Sequence, residues 1–307
     1  NVTAQDISFI QKVGHDIIVA IVAIVVETVL YTIYAILVGA AGYILLGRGR
    51  SRQTIVMFLV IFTMILLETV LWIIDIHSAL AELSITLTSN SDLSYTARYS
   101  KYLKVPGGET IAAVYAFMTN LGDIIIIWRV YAFWSQGKER LVLLIPISLL
   151  IASVVISALM ADCAARFGSS FYAVTYGEYV NPPFCNNIQR VSFLVTFLTT
   201  VVSTLLIFYK TWLYRRSIRS HQHRSVVMTR IERIMVILVE SGLLYALFFL
   251  AGYVNSSPAV LKLKNSTVGS RFASIVWQYM TSKFVGIYPV IIILLVHSQR
   301  SYIDATT

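Results

Sequence analysis

The chain has 307 residues, 57% of them hydrophobic and 13% charged, with a mean hydropathy of +0.76. A soluble domain carries about 25% charged residues, so this chain lacks the polar surface to stay in water, and its length fits one membrane bundle without a second large domain. The net charge of +9 comes from Lys and Arg scattered over short segments, which reads as topology information beside anionic lipid and excludes a nucleic-acid groove.

Asn1–Gln11 lacks the basic-then-apolar pattern of a signal peptide, so the first apolar stretch is expected to act as its own membrane signal. Continuous apolar runs of about 20 residues predict spans over Ile17–Leu46, Thr54–Leu80, Thr110–Trp134, Leu141–Leu159, Ile188–Tyr214, Ile231–Tyr253 and Phe272–Val296. Each is expected to be helical, because isolated strands would leave backbone groups unpaired in hydrocarbon. A β-barrel needs alternating segments, and runs such as Ile124–Trp128 and Ile291–Val296 do not alternate. The expected fold is all-α: one domain over residues 1–307, a seven-helix transmembrane bundle.

Single ionisable residues interrupt these stretches. The first holds Glu27; the second holds Glu68 and Asp75, seven apart and so on one helix face, with Asp75 nearer the outer surface. Asp123 lies in the third, Glu240 in the sixth and Lys283 in the seventh, six residues before Pro289. Apart from Asp75, these groups lie roughly 13–22 Å inside their stretches, near the middle of a hydrocarbon core about 30 Å thick. Charges at that depth are costly and as a rule mark a site facing the bundle interior. The functional reading is a polar centre among helices two, three, six and seven that takes a cation, a proton or a polar ligand. The structural reading is a set of protonated carboxyls, each hydrogen-bonded to a neighbouring helix for packing. Three roles are open to Lys283: ion-pair partner of an acid, ligand anchor, or Schiff-base lysine for a retinal cofactor.

The third stretch ends Asp123-Ile-Ile-Ile-Ile-Trp128-Arg129-Val-Tyr131, with Trp134 at the interface. Arg129 is expected near the inner end, where it can snorkel. With Tyr131 and Pro289 it is a switch candidate, held by a neighbouring helix and released on activation; the plainer reading is an anchoring Arg in an aromatic belt. Pro146 and Pro289 each remove a backbone hydrogen bond, so helices four and seven are expected to kink. The connections Ala81–Glu109 and Met160–Asn187 are long for a bundle. They carry Tyr95, Tyr99, Tyr102, Phe171, Tyr172, Tyr176 and Tyr179, which suit a lid over the bundle mouth or a glycoprotein surface. Cys163 and Cys185 share the second connection, where an oxidising compartment permits a disulfide.

Between helices five and six, Tyr214–Ser225 is strongly basic, with Arg215, Arg216, Arg219 and Arg224. It serves topology and lipid contact, or docks a cytosolic signalling partner over residues 215–230. Phosphorylation of Ser217, Ser220 or Ser225 would weaken either contact. None of the five histidines is mid-membrane. His15, Asp16, Asp75 and His77 are the one set that keeps a metal-dependent membrane hydrolase in view. No nucleophile elbow, HExxH or P-loop is present, and an enzyme is not expected.

Orientation follows from the loops. Arg48, Arg50, Arg52, Lys138, Arg140, the Arg215–Arg230 segment and Arg300 fall on one side of the spans, while the other mixes Lys101, Lys104, Lys262 and Lys264 with acids. The positive-inside rule places the N-terminus outside and the C-terminus in the cytosol. Sequons at Asn1, Asn255 and Asn265 all fall on the outer side, where glycosylation operates.

The segment Asn120-Leu-Gly-Asp123-Ile-Ile-Ile-Ile-Trp128-Arg129-Val-Tyr131-Ala-Phe-Trp134 resembles the third helix of a large, uncharacterised seven-span family of mushroom-forming (basidiomycete) fungi. Gly286-Ile-Tyr288-Pro289-Val-Ile-Ile-Ile is similar to that family's seventh helix, and the likeness in layout covers all seven spans. The layout also resembles G-protein-coupled receptors, with Arg129–Tyr131 similar to their arginine motif. No acid directly precedes Arg129, however, no Cys tops the third helix, and Tyr288-Pro289 matches the seventh-helix motif only in part. What the resemblance implies is a receptor-like protein. The expectation is a sensor in the plasma membrane, or another membrane of the secretory pathway, with a polar ligand or ion site at mid-membrane. The alternatives are a proton or cation transporter or channel, a structural glycoprotein that self-associates as a homo-oligomer, and a retinal pigment on Lys283.

Overall fold

The computed structural model describes residues 4–47, 52–84, 108–134, 137–167, 183–219, 226–257, 260 and 267–304. Tyr95, Tyr99, Tyr102, Phe171, Tyr172, Tyr176 and Tyr179 of the two long connections, Asn1, Asn265, Arg224, Ser220 and Ser225 lie outside the described residues, as do the side chains of His15, Asp16, Ser217 and Arg219.

Seven long helices form: α1 (Ala4–Gly47), α2 (Arg52–Leu83), α3 (Gly108–Trp134), α4 (Leu144–Phe167), α5 (Pro183–Arg219), α6 (Val226–Asn255) and α7 (Val268–Asp304). A 3-10 segment, Gly137–Leu143, leads into α4. All seven helices are long and apolar enough to cross a membrane, and no strand occurs among the described residues. The chain is a multi-pass, all-α membrane protein whose outer faces meet lipid. Ile18, Val25, Leu59, Ile151 and Leu244 are exposed there, an arrangement that only a bilayer makes favourable.

The helices run past the apolar stretches that predict them. Hydropathy marks the part of a helix lying in hydrocarbon, whereas a nucleated helix propagates through any residue that adds its backbone bond. In α4 both ends differ: it starts later than Leu141 and continues beyond Leu159 to Phe167. Ala161, Ala164 and Ala165 favour helix there, and Asp162 pairs with Arg166 at 2.9 Å across the last turn. Pro146 falls in the first turn of α4, where a missing N–H removes no interior bond. The expected kink applies to Pro289, which lies inside α7.

Consecutive helices pack side by side and α7 returns to α1, closing a ring; α3 also touches α5 and α7. The interior position of α3 follows from its residues, since Met118, Ile125 and Val130 are all fully enclosed. Small residues set two close approaches. A Cβ on Gly242 of α6 would collide with Thr204 Oγ1 of α5, and one on Gly286 of α7 would lie 3.0 Å from the Tyr34 ring of α1. Cys163 and Cys185 form a disulfide, Cα–Cα 5.9 Å, that ties the end of α4 to the start of α5.

Candidate functional site

Three helices deliver the main polar centre through ordinary helical spacing. On α1 the buried positions Ala20, Ala23, Glu27, Tyr34, Val38, Ala41 and Leu45 recur at steps of three, four or seven residues, making one inward stripe. On α2 the stripe is Met57, Ile61, Met64, Glu68 and Leu71, continued by half-buried Asp75. Lys283 of α7 faces both. Its Nζ is 2.9 Å from Glu27 Oε1 and donates to Glu68 Oε2, and all three side chains are 0% exposed. The Asp75 carboxyl interacts with Glu27, and Ser282 with Glu68.

Tyrosines line the same centre. Tyr34 of α1 and Tyr115 of α3 both lie near Glu68. Their hydroxyls are buried and without a hydrogen-bond partner among the described residues, as is Glu68 Oε1. Between α1 and α2, the Tyr31 and Trp72 rings stack at 5.1 Å. Tyr31 hydrogen-bonds Thr69 at 2.8 Å and Trp72 Nε1 donates to Thr28 at 3.0 Å. Charge balance defines the chemistry. Three carboxyls face one amine, and an uncompensated charge in the interior costs several kcal/mol. The centre therefore accepts further positive charge, as protons or as a cation.

The four mid-membrane carboxyls do not share one nest, and the helices around the main centre are one, two and seven with Tyr115 of α3, not two, three, six and seven. Glu240 is exposed on α6. The interior face of that helix is Met235, Leu238, Tyr245 and Phe249, and two residues beyond Leu238 the helix has turned about 200°. Asp123 occupies a separate nest between α3 and α4 with Asn120, Ser153 and Ser157.

Arg129 does not snorkel. It is 6% exposed, donates from Nη1 to the Tyr288 hydroxyl at 3.2 Å and stands 5.1 Å from that ring's centre. Tyr288 stacks on Tyr245 of α6 at 3.9 Å, and Tyr245 is in electrostatic reach of Asp123, Tyr115 and Arg129. Tyr131, two residues past Arg129, lies on the opposite side of α3 and is exposed. Arg215 and Arg216 are exposed on α5, the latter over the Trp212 ring at 5.7 Å. Asn255 is half-buried at the end of α6, and His77 is exposed.

Tyr34, Tyr115, Tyr245, Asn120 and Ser153 were not among the sequence candidates. A signal exists for two of them. Asn120 and Asp123 stand three apart, and Ser153 and Ser157 four apart, so each pair shares a helix face within an apolar run. Comparison with protein-family models, with curated proteins and with solved structures finds no match.

Proposed function

We propose that the protein is a seven-helix membrane sensor whose stimulus acts on the Lys283–Glu27–Glu68–Asp75 centre and whose output is a movement of α7. One observation carries this reading: the single amine of α7 is paired to a carboxylate on α1 and another on α2. Any species that competes for those carboxylates loosens α7 from both neighbours at once. The same helix carries Pro289, where a backbone bond is missing, and Tyr288, which holds Arg129. Lys283 and Tyr288 are about 7.5 Å apart along the axis. A stimulus drives this only by binding the two arrangements with different affinity.

The charge distribution of the loops supports an outward N-terminus, with the Arg129 end and the basic residues Arg215 and Arg216 in the cytosol. There a signalling partner would read the movement. The resemblance of Asn120–Trp134 and Gly286–Ile293 to a fungal seven-span family supports the receptor-like reading, and we propose the plasma membrane as its location. Retinal on Lys283 is the minor reading, because its Nζ is already paired to Glu27 and Glu68. The test places spin labels at the inner ends of α3 and α7 in nanodiscs. Acidification or added cations are expected to shift the distance between them in the native protein and not in Lys283→Met. A distance unmoved by either stimulus overturns the sensor.

A proton or cation relay is the second reading. Tyr115 lies near Glu68, and Tyr245 near both Tyr115 and Asp123, which sets tyrosines close to both acidic regions without a hydrogen bond from the Tyr115 hydroxyl among the described residues. That reading requires ion flux in proteoliposomes that Glu68→Gln or Asp123→Asn abolishes; a sensor gives none.

A further inference from the structure

Away from the Lys283 centre, the nest between α3 and α4 contains a carboxyl that its neighbours do not satisfy. Asp123 is midway along its span and 1% exposed. Ser153 Oγ lies 3.4 Å from Asp123 Oδ2 and 2.7 Å from Asn120 Oδ1. One hydroxyl has one hydrogen to donate, and the shorter contact takes it. Ser157 gives its hydrogen to the Ser153 carbonyl at 2.9 Å, while Asn120 Nδ2 is directed to Ser157 at 3.0 Å. The neutral groups thus satisfy one another. Asp123 is left with one long, contested contact at Oδ2 and a buried Oδ1 that has no partner among the described residues.

We infer that Asp123, Ser153 and Asn120 form a site for a monovalent metal cation, sodium in the first instance, separate from the Lys283 centre. Asp123 Oδ2, Ser153 Oγ and Asn120 Oδ1 come from two helices and lie in sequence 3.4 and 2.7 Å apart. Oxygens sharing one hard cation at about 2.3–2.6 Å sit about 3–3.5 Å from one another, so small rotations of these side chains complete such a set. Charge selects the valence, because Asp123 is the one carboxyl in the nest and a single positive charge neutralises it. A proton is the rival occupant: it would approach Ser153 Oγ at the same 3.4 Å and leave one oxygen unpaired. Sodium would tie α3 to α4 at mid-membrane and change the field at Tyr245, which lies near Asp123.

The experiment compares thermal unfolding of the full protein in sodium chloride with that in N-methylglucamine chloride at equal ionic strength. Sodium is expected to raise the midpoint saturably in the native protein and in Glu240→Gln. The response should vanish in Asp123→Asn, and half-saturation should move to roughly tenfold higher sodium in Ser153→Ala. Infrared difference spectra of the native protein, sodium against N-methylglucamine, read the carboxylate stretch and need no variant to fold; a sodium-specific band is expected. Neither a sodium-specific midpoint nor a sodium-specific band, or a response that survives Asp123→Asn, overturns the site. So does a response to acid alone, which would assign the nest to a proton. Failure here leaves the Lys283 sensor standing, since the two sites share no residue.

Discussion

Lys283 is the side chain on which the centre balances. Replacing it with Met keeps most of the volume and removes the charge, leaving two carboxyls buried without their partner. Breaking a buried ion pair from one side costs about 3–5 kcal/mol, so thermal unfolding in detergent should show a large loss for Lys283→Met. Adding Glu68→Gln to it should recover part of that loss, because the second change removes one of the stranded charges. A double-mutant cycle with no coupling between the two positions would mean that the pair is not formed in the membrane protein. A steric counterpart lies one turn away. Gly286→Ala would set a methyl group 3.0 Å from the Tyr34 ring, an overpacking expected to cost about 1–3 kcal/mol, and Tyr34→Leu in the same chain should relieve it. Depth was legible for these residues, since counting along an apolar run gives it directly. Partnership was not. Glu240 and Glu68 look alike in the sequence, yet one faces outward and the other meets Lys283, because helical phase relative to neighbouring helices depends on packing that a single stretch does not encode.

At the scale of helices, that phase is what the sequence leaves open and what close contacts decide. The α5–α6 pair is set where Gly242 admits Thr204, and this turns Tyr245 inward and Glu240 outward. Helix identity and order were readable because apolar runs of membrane length have few other solutions in hydrocarbon. Helix ends were not, as α4 illustrates, because the Ala-rich turns beyond Leu159 continue the helix after hydropathy has fallen. The Cys163–Cys185 bridge acts at this scale too. It closes a segment with a sequence separation of 22 and should contribute roughly 3 kcal/mol by restricting the unfolded chain. Cys163→Ser/Cys185→Ser should therefore unfold at a lower temperature, while the distance between labels on the inner ends of α3 and α7 keeps its response. Loss of that response would show that the α4–α5 tie and the Lys283 centre are not independent.

For the molecule as a whole, α3 meets both polar centres: its Tyr115 lies near Glu68, and its Asp123 lies beside Ser153 of α4. Which end of this arrangement faces the cytosol decides what the movement of α7 reports. Lys and Arg crowd beside the spans on the side opposite the N-terminus; translocating cationic segments is disfavoured and anionic lipid holds them inside, so an outward N-terminus is expected. Two exposed positions at opposite ends test it directly. Asp162 lies near the end of α4 and Arg216 near the end of α5, and the cysteines of the described chain are joined to one another, so an introduced thiol reports alone. A membrane-impermeant maleimide should label Asp162→Cys in intact cells, and Arg216→Cys only after permeabilisation. The reverse pattern would put Arg129 and the basic end of α5 on the outer face. Tyr288 would then transmit away from the cytosol, and a stimulus at Asp75 would have to arrive from inside the cell.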